Sequence, residues 1–201
     1  MTIQAVIFDF GGVLVRTEDR APRQELADSL GMTYDEVNEL IFESESARRA
    51  TVGEITTQEH WETLRFELGL PAEEFQRVPK EFFGGDVLDE ALIDYIRSLR
   101  PRYRTALLSN AWDDLRGVVI NEWQIADAFD ELIISAEVGV AKPDAGIYEL
   151  TLERLNVAPS EAVFVDDFRR NIEGAQAVGM YAIHFRDSDQ VRTELDERLF
   201  S

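Results

Sequence analysis

The sequence predicts an α/β fold: a doubly wound, parallel, five-stranded sheet with an inserted α-helical cap. Three observations lead there. Short apolar runs rich in β-branched and aromatic residues recur along the chain, helical stretches separate them, and one interval, 16–86, interrupts this order with helical periodicity alone. Alternation of strand and helix implies right-handed crossovers, which place helices on both faces of a parallel sheet. The 201 residues suit one domain or a core plus a modest insert, since domains run to roughly 100–200 residues. Hydrophobic residues make up 45% of the chain and charged residues 30%, which is a globular composition rather than a disordered one.

The first strand is Thr2–Phe10 (TIQAVIFDF), a buried-strand run that ends in Asp-Phe-Gly-Gly and therefore in a sharp turn. From about Arg16 to Asp86 there is no convincing strand; three or four amphipathic helices are expected from the spacing of Leu26, Leu30, Val37, Leu40, Ile41, Trp61, Leu64, Phe66 and Leu68. Thr33 with Glu36 forms a candidate capping box, Thr56 or Thr57 starts the next helix, and Gly84-Gly85 makes a flexible return. The aromatic residues of this interval read as the cap's own core rather than a cofactor site.

The core then resumes. Helix Asp89–Leu99 precedes strand Arg104–Ser109, helix Trp112–Trp123 precedes strand Glu131–Ser135, and helix Ala145–Leu155 precedes strand Ala162–Asp166. Helix Arg169–Val178, stopped by Gly179 in a C-terminal capping position, leads to strand Tyr181–Phe185. The domain reading is a catalytic core of 1–15 and 87–201 with a helical cap of 16–86.

A net charge of −20 and a pI near 4.4 argue against nucleic-acid binding, which needs clustered Lys and Arg. With no cysteine, disulfides, thiolate zinc sites and a cysteine nucleophile are excluded. No run approaches the 18 apolar residues of a membrane span, and the apolar residues near Met1 lack a basic lead or cleavage site, so no membrane role and a cytoplasmic location are expected. Lys80 and Lys142 are the only lysines among 20 basic residues. A lysine in so arginine-biased a chain invites a reason.

In an open parallel sheet, ligands gather at the carboxyl ends of the strands. Four polar positions converge there: Asp9 after the first strand, Ser109-Asn110 after the second, Lys142-Pro143 near the loop after the third, and Asp166-Asp167 with Asn171 after the fourth. Each alone is ordinary turn or capping chemistry. The four in this order form a strong signal.

The segments FDFGGVL, LLSNA, AKPDAGIY and FVDDFRRNIEGAQAVGM resemble the four motifs of the haloacid dehalogenase (HAD) superfamily, and the likeness covers essentially the whole core. The helical insert after the first motif, with ARRATVGEIT resembling the family's cap loop, resembles the branch of that superfamily (subfamily IA, variant 3) rich in small phosphatases. The resemblance implies a HAD-like Rossmannoid core and a magnesium-dependent phosphoric monoester hydrolase with Asp9 as nucleophile. It implies Mg2+ held by Asp9, the Gly11 carbonyl and Asp167, with Asp166 and Asn171 in support. Ser109, Asn110 and Lys142 would hold the phosphoryl group, Lys142 also touching the nucleophile, and the start of the helix after Asn110 would favour the anion. The expected partner is a small phosphorylated metabolite such as a sugar phosphate, bound by a monomer or homodimer.

One departure stands out: the residue two after the nucleophile, an acid in most phosphatases of this family, is Gly11. A carbonyl ligand survives that change and a proton shuttle does not. Three readings follow: a phosphatase with a better leaving group, such as a sugar 1-phosphate or acyl phosphate, or with an acid borrowed from cap or substrate; a weak or inactive phosphate-binding protein; and a 2-haloacid dehalogenase. The last is weakened by Asp166-Asp167, because displacement at carbon needs no magnesium and paired carboxylates without a cation raise one another's pKa. Arg48 and Arg49 are candidates to face an anionic substrate, the competing view being solvated arginines that offset Glu43 and Glu45. His60 and His184 fall away from every motif and read as packing or surface residues.

Overall fold

A computed structural model describes residues 2–200; Met1 and Ser201, at the limits of the expected core, lie outside them. The chain opens with β1 (Ala5–Phe8) and β2 (Val15–Thr17), then runs through α1 (Ala21–Leu30), α2 (Tyr34–Glu43), α3 (Glu45–Thr51), α4 (Thr57–Glu67), α5 (Ala72–Phe75) and α6 (Arg77–Phe82). It returns through β3 (Asp86–Leu88), α7 (Glu90–Leu99), β4 (Arg104–Ser109), α8 (Leu115–Gly117), β5 (Glu131–Ile134) and α9 (Ser135–Val138). It ends with α10 (Ala145–Leu155), β6 (Ala162–Asp166), α11 (Arg169–Ala177), β7 (Tyr181–His184) and α12 (Ser188–Leu199).

The main sheet is the five-stranded parallel sheet anticipated, in the order β5-β4-β1-β6-β7. β1 lies at its centre because AVIF is apolar on both faces, and all four of its residues are buried. The two faces separate by the alternation of side chains along a strand. Val6, Phe8, Leu107, Val163 and Val165 pack toward Leu92 and Ile96 of α7 and Val191 and Leu195 of α12. Ile7, Ala106, Leu108 and Phe164 pack toward Ile147, Tyr148 and Leu152 of α10 and Ile172 of α11. α12, N-capped by Asp187, lies outside the elements foreseen from the sequence.

The expected strand Thr2–Phe10 narrows to β1, although backbone pairing reaches one residue further at each end: the Arg104 N–H donates to the Gln4 carbonyl, and the Asp9 N–H to that of Val165. Two further expectations are corrected. β2 and β3 pair antiparallel at the neck of the helical insert, where the sequence suggested no strand; three residues each, reading VRT and DVL, are too short to show a period. Helix Trp112–Trp123 shrinks to α8 and a π-helical turn, Val118–Glu122. Trp112 is drawn instead into the core of the insert, and Asp113 caps α4.

That diversion fastens insert to core. The Asp113 carboxylate accepts from the Thr57 N–H at 2.9 Å and from its hydroxyl at 2.5 Å, and Asp114 accepts from the same hydroxyl at 3.2 Å. Trp112 packs with Leu26, Ile41, Leu64 and Phe82 of the insert. Gly53, at φ 71°, presses so closely on α9 that a Cβ there would lie 2.1 Å from the Ala136 carbonyl oxygen. Capping boxes start α2 at Thr33/Glu36 and α4 at Thr56/Glu59. Among the described residues no helix is long and apolar enough to cross a membrane.

Phe164 is fully buried in the middle of β6. Phe164→Ala is expected to lower stability by about 3–5 kcal/mol in urea unfolding, whereas a loss below about 1 kcal/mol would contradict the packing described.

Candidate active site

Asp9 leaves the central strand at its carboxyl end, 6% exposed, with one carboxylate oxygen accepting from the Phe10 N–H at 2.7 Å. Lys142 reaches it from the loop after α9. The ammonium Nζ lies 2.8 Å from Asp9 Oδ1 and 2.7 Å from Asp166 Oδ2, so one buried cation bridges two buried carboxylates. Two side chains fix this bridge. Asn110 clamps the Lys142 backbone, donating to its carbonyl and accepting from its N–H at 2.8 Å each. Asn171 donates to both oxygens of Asp166 at 3.0 Å, and the Phe168 N–H donates to Asp166 Oδ1 at 2.7 Å.

Asp167 completes the cluster. Asp9, Asp166 and Asp167 offer carboxylate oxygens within 4.8 Å of one another. Asp167 lies against Gly12, where a Cβ would meet its Oδ2 at 2.3 Å and where φ is 80°, so only glycine fits. Asp167 Oδ1 is buried without a hydrogen-bond partner. An orphaned carboxylate oxygen beside two more carboxylates is a donor set for a hard divalent cation.

The electrostatics say the same. Burial drives the Asp9 carboxyl up to about 8, Lys142 opposes that rise and Asp166 adds to it. Burial and then Asp166 push Asp167 up as well. A single lysine does not neutralise three carboxylates.

The structure brings Asp9, Lys142, Asp166, Asp167 and Asn171 together, with Ser109 buried at the end of β4 and Gly11 two residues beyond Asp9. Both polar atoms of the Asn110 side chain are engaged with the Lys142 backbone. The helix expected right after Asn110 starts only at Leu115, and the Ala111 N–H is bound to Ser135 Oγ at 3.0 Å, so no helix N-terminus stands at that point. Arg48 and Arg49 lie exposed on α3 rather than on a loop. Arg48 donates to the Glu43 carbonyl and Arg49 pairs with Glu54 at 3.3 Å, so the partners are not the Glu43 and Glu45 carboxylates.

His60 packs in the insert, 4.6 Å ring to ring from Trp112, with Nδ1 at 2.8 Å from Ser46 Oγ. His184 is not remote: its Nε2 donates to the Asp167 carbonyl at 2.8 Å. Its register partner in β6 is Asp166, so the strand pairing was the signal that could have found it. Tyr148 was also missed; its hydroxyl donates to the Asn171 carbonyl at 2.9 Å from beneath the site.

A buried carboxylate at the carboxyl end of the central strand of a doubly wound sheet, paired with a lysine and set beside two further carboxylates, places the candidate site where open α/β sheets gather ligands. The match to protein families narrows this: the model of haloacid dehalogenase-like hydrolases covers residues 3–179, and the chain belongs to that family. It is 30% identical over 192 residues to the sesquiterpene phosphatase astK of Aspergillus oryzae, covering 93% of this chain and 92% of that protein. It is 27% identical over 202 residues to the D-ribitol-5-phosphate phosphatase of Bacteroides thetaiotaomicron, covering 96% and 97%. A HAD family enzyme of Bacteroides thetaiotaomicron, solved in complex with magnesium and inorganic phosphate, shares the fold with a TM-score of 0.78 at 24% identity, covering 92% of this chain and 94% of that one.

The raised Asp9 carboxyl has a consequence for stability. A folded state that favours the protonated acid gains from it fully below about pH 4, and this gain is lost as pH rises through about 8. In chelator, the melting temperature of the wild type is therefore expected to fall relative to that of Asp9→Asn as pH rises from 4 to 8; parallel pH profiles would contradict the electrostatic reading.

Proposed function

We propose that this chain is a magnesium-dependent phosphatase that hydrolyses a small phosphorylated metabolite, of the sugar-phosphate kind, through an aspartyl-phosphate on Asp9. The carrying observation is the Lys142 ammonium held at 2.8 and 2.7 Å between Asp9 and Asp166 beside the unpartnered oxygen of Asp167. Two relatives, a sesquiterpene phosphatase and a D-ribitol-5-phosphate phosphatase, support the reaction class, and the magnesium and phosphate bound by the structural relative support the cofactor.

Asp9, the Gly11 carbonyl and Asp167 would hold Mg2+. Bound there, the ion supplies charge that offsets the repulsion between carboxylate and phosphate. Asp9 attacks phosphorus in line, and Lys142 steadies charge on both the nucleophile and the transferring group. Ser109 and the Asn110 backbone hold phosphoryl oxygens, while Asp166 and Asn171 keep Lys142 and its neighbours in place. The segment 16–86 acts as a cap that selects the leaving group, and residues 1–15 and 87–201 are the catalytic core. A dehalogenase reading gives Asp167 no task, since halide displacement at carbon needs no cation at that oxygen.

Phosphate release from 4-nitrophenyl phosphate is expected to require Mg2+, to stop with chelator, and to fall on the order of 10³-fold or more in Asp9→Asn. Mg2+ is expected to raise the melting temperature of the wild type and not of Asp167→Asn. Activity that survives both chelation and Asp9→Asn would overturn the proposal.

A further inference from the structure

Two neighbouring glycines beside the nucleophile differ in kind. Gly12 has no alternative, because its φ of 80° and the Asp167 carboxylate 2.3 Å from a Cβ exclude any side chain. Gly11 is under no such constraint: a Cβ there meets nothing within 4 Å, and its backbone is outside the left-handed region. The fold leaves room for a side chain next to Asp9, and the chain leaves that room empty.

The ionisable groups of the cluster that contains Asp9 are already engaged. Lys142 bridges Asp9 and Asp166, and Asp166 also accepts from Phe168 and Asn171. The Tyr148 hydroxyl donates to the Asn171 carbonyl. Asp167, with one oxygen buried and unpartnered, belongs to the carboxylate cluster with Asp9 and Asp166. On the loop beyond Ser109, Asp113 and Asp114 both accept from Thr57. Gly11, two residues beyond Asp9, has no side chain with which to hand a proton to a departing oxygen.

Resting on the phosphatase reading above, we infer that the leaving group departs from this site without a proton from the enzyme, so the substrate is an activated phosphate: anomeric, enol or acyl rather than simple alkyl. An Asp9 oxygen forms its bond to phosphorus as the bond from phosphorus to the leaving oxygen breaks. The electron pair stays on that oxygen, which is stable as an anion in such substrates and takes its proton from solvent. A water oxygen then bonds to phosphorus, the bond between phosphorus and the Asp9 oxygen breaks, the carboxylate is restored and the water proton passes to phosphate or solvent. The same empty space leaves that water without a base, so with an activated substrate the second step is the slow one and the phosphoenzyme accumulates.

The test uses the full chain with Mg2+ and a series running from acetyl phosphate through aryl phosphates of decreasing phenol acidity to an alkyl phosphate. kcat/KM is measured, and acid-quenched protein is weighed intact for an added phosphoryl group. The wild type is expected to lose at least about 10²-fold in kcat/KM across the series, and to show the phosphoenzyme with acetyl phosphate. Gly11→Asp is expected to recover about 10²-fold on the alkyl ester and to shorten the life of the phosphoenzyme. Gly11→Asn, of similar size but without a transferable proton, is expected to do neither. A shallow dependence in the wild type, or equal rescue by Asn and Asp, would overturn the inference while leaving the phosphatase reading intact. Should Gly11→Asp not fold, the wild-type series and the mass measurement decide alone. No phosphate release and no phosphoenzyme from any member would instead defeat the phosphatase reading itself.

Discussion

The site depends on one buried ammonium. Lys142, 1% exposed at its side chain, lies between Asp9 and Asp166, both also out of solvent. Burying these charges is costly, and removing one partner of such a pair typically destabilises by about 3–5 kcal/mol. The arrangement persists because each member is held by neighbours with no freedom to leave: Asn110 pins the Lys142 backbone, and Asn171 with the Phe168 N–H pins Asp166. The Asp9 carboxylate is thus held in a fixed orientation, the preorganisation from which the proposed electrostatic catalysis would gain most.

The same logic explains why the helical insert is not an independent appendage. The loop that follows Ser109 and Asn110 sends Trp112 into the insert's core and Asp113 to the start of α4, while Gly53 abuts the backbone after β5. The helical insert and the loop that carries Ser109 and Asn110 therefore share a packed junction. A substitution at that junction reaches both.

Most of the fold was legible because β1, β4 and β6 are buried on both faces and read as unbroken apolar runs, and the site was legible because its residues follow directly on those strands. What escaped was created by tertiary pairing. The ribbon of β2 and β3 has three residues on each side and no period of its own. Trp112 looked like a helical residue until the insert claimed it. His184 became a neighbour of Asp167 only through the register of β7 on β6, and the Arg48 and Arg49 side chains turned to partners within the insert.

In the proposed function, Asp9 is aimed at an electrophile beside a cation held by Asp167. This is tested most directly by a crystal structure grown with Mg2+ and beryllium fluoride, a mimic of an acyl-phosphate. The trifluoroberyllate is expected on an Asp9 carboxylate oxygen, with a magnesium ion between it and Asp167 and the Lys142 ammonium in contact with a fluorine. A structure with Asp9 unmodified and no ion at Asp167 under saturating conditions would contradict it.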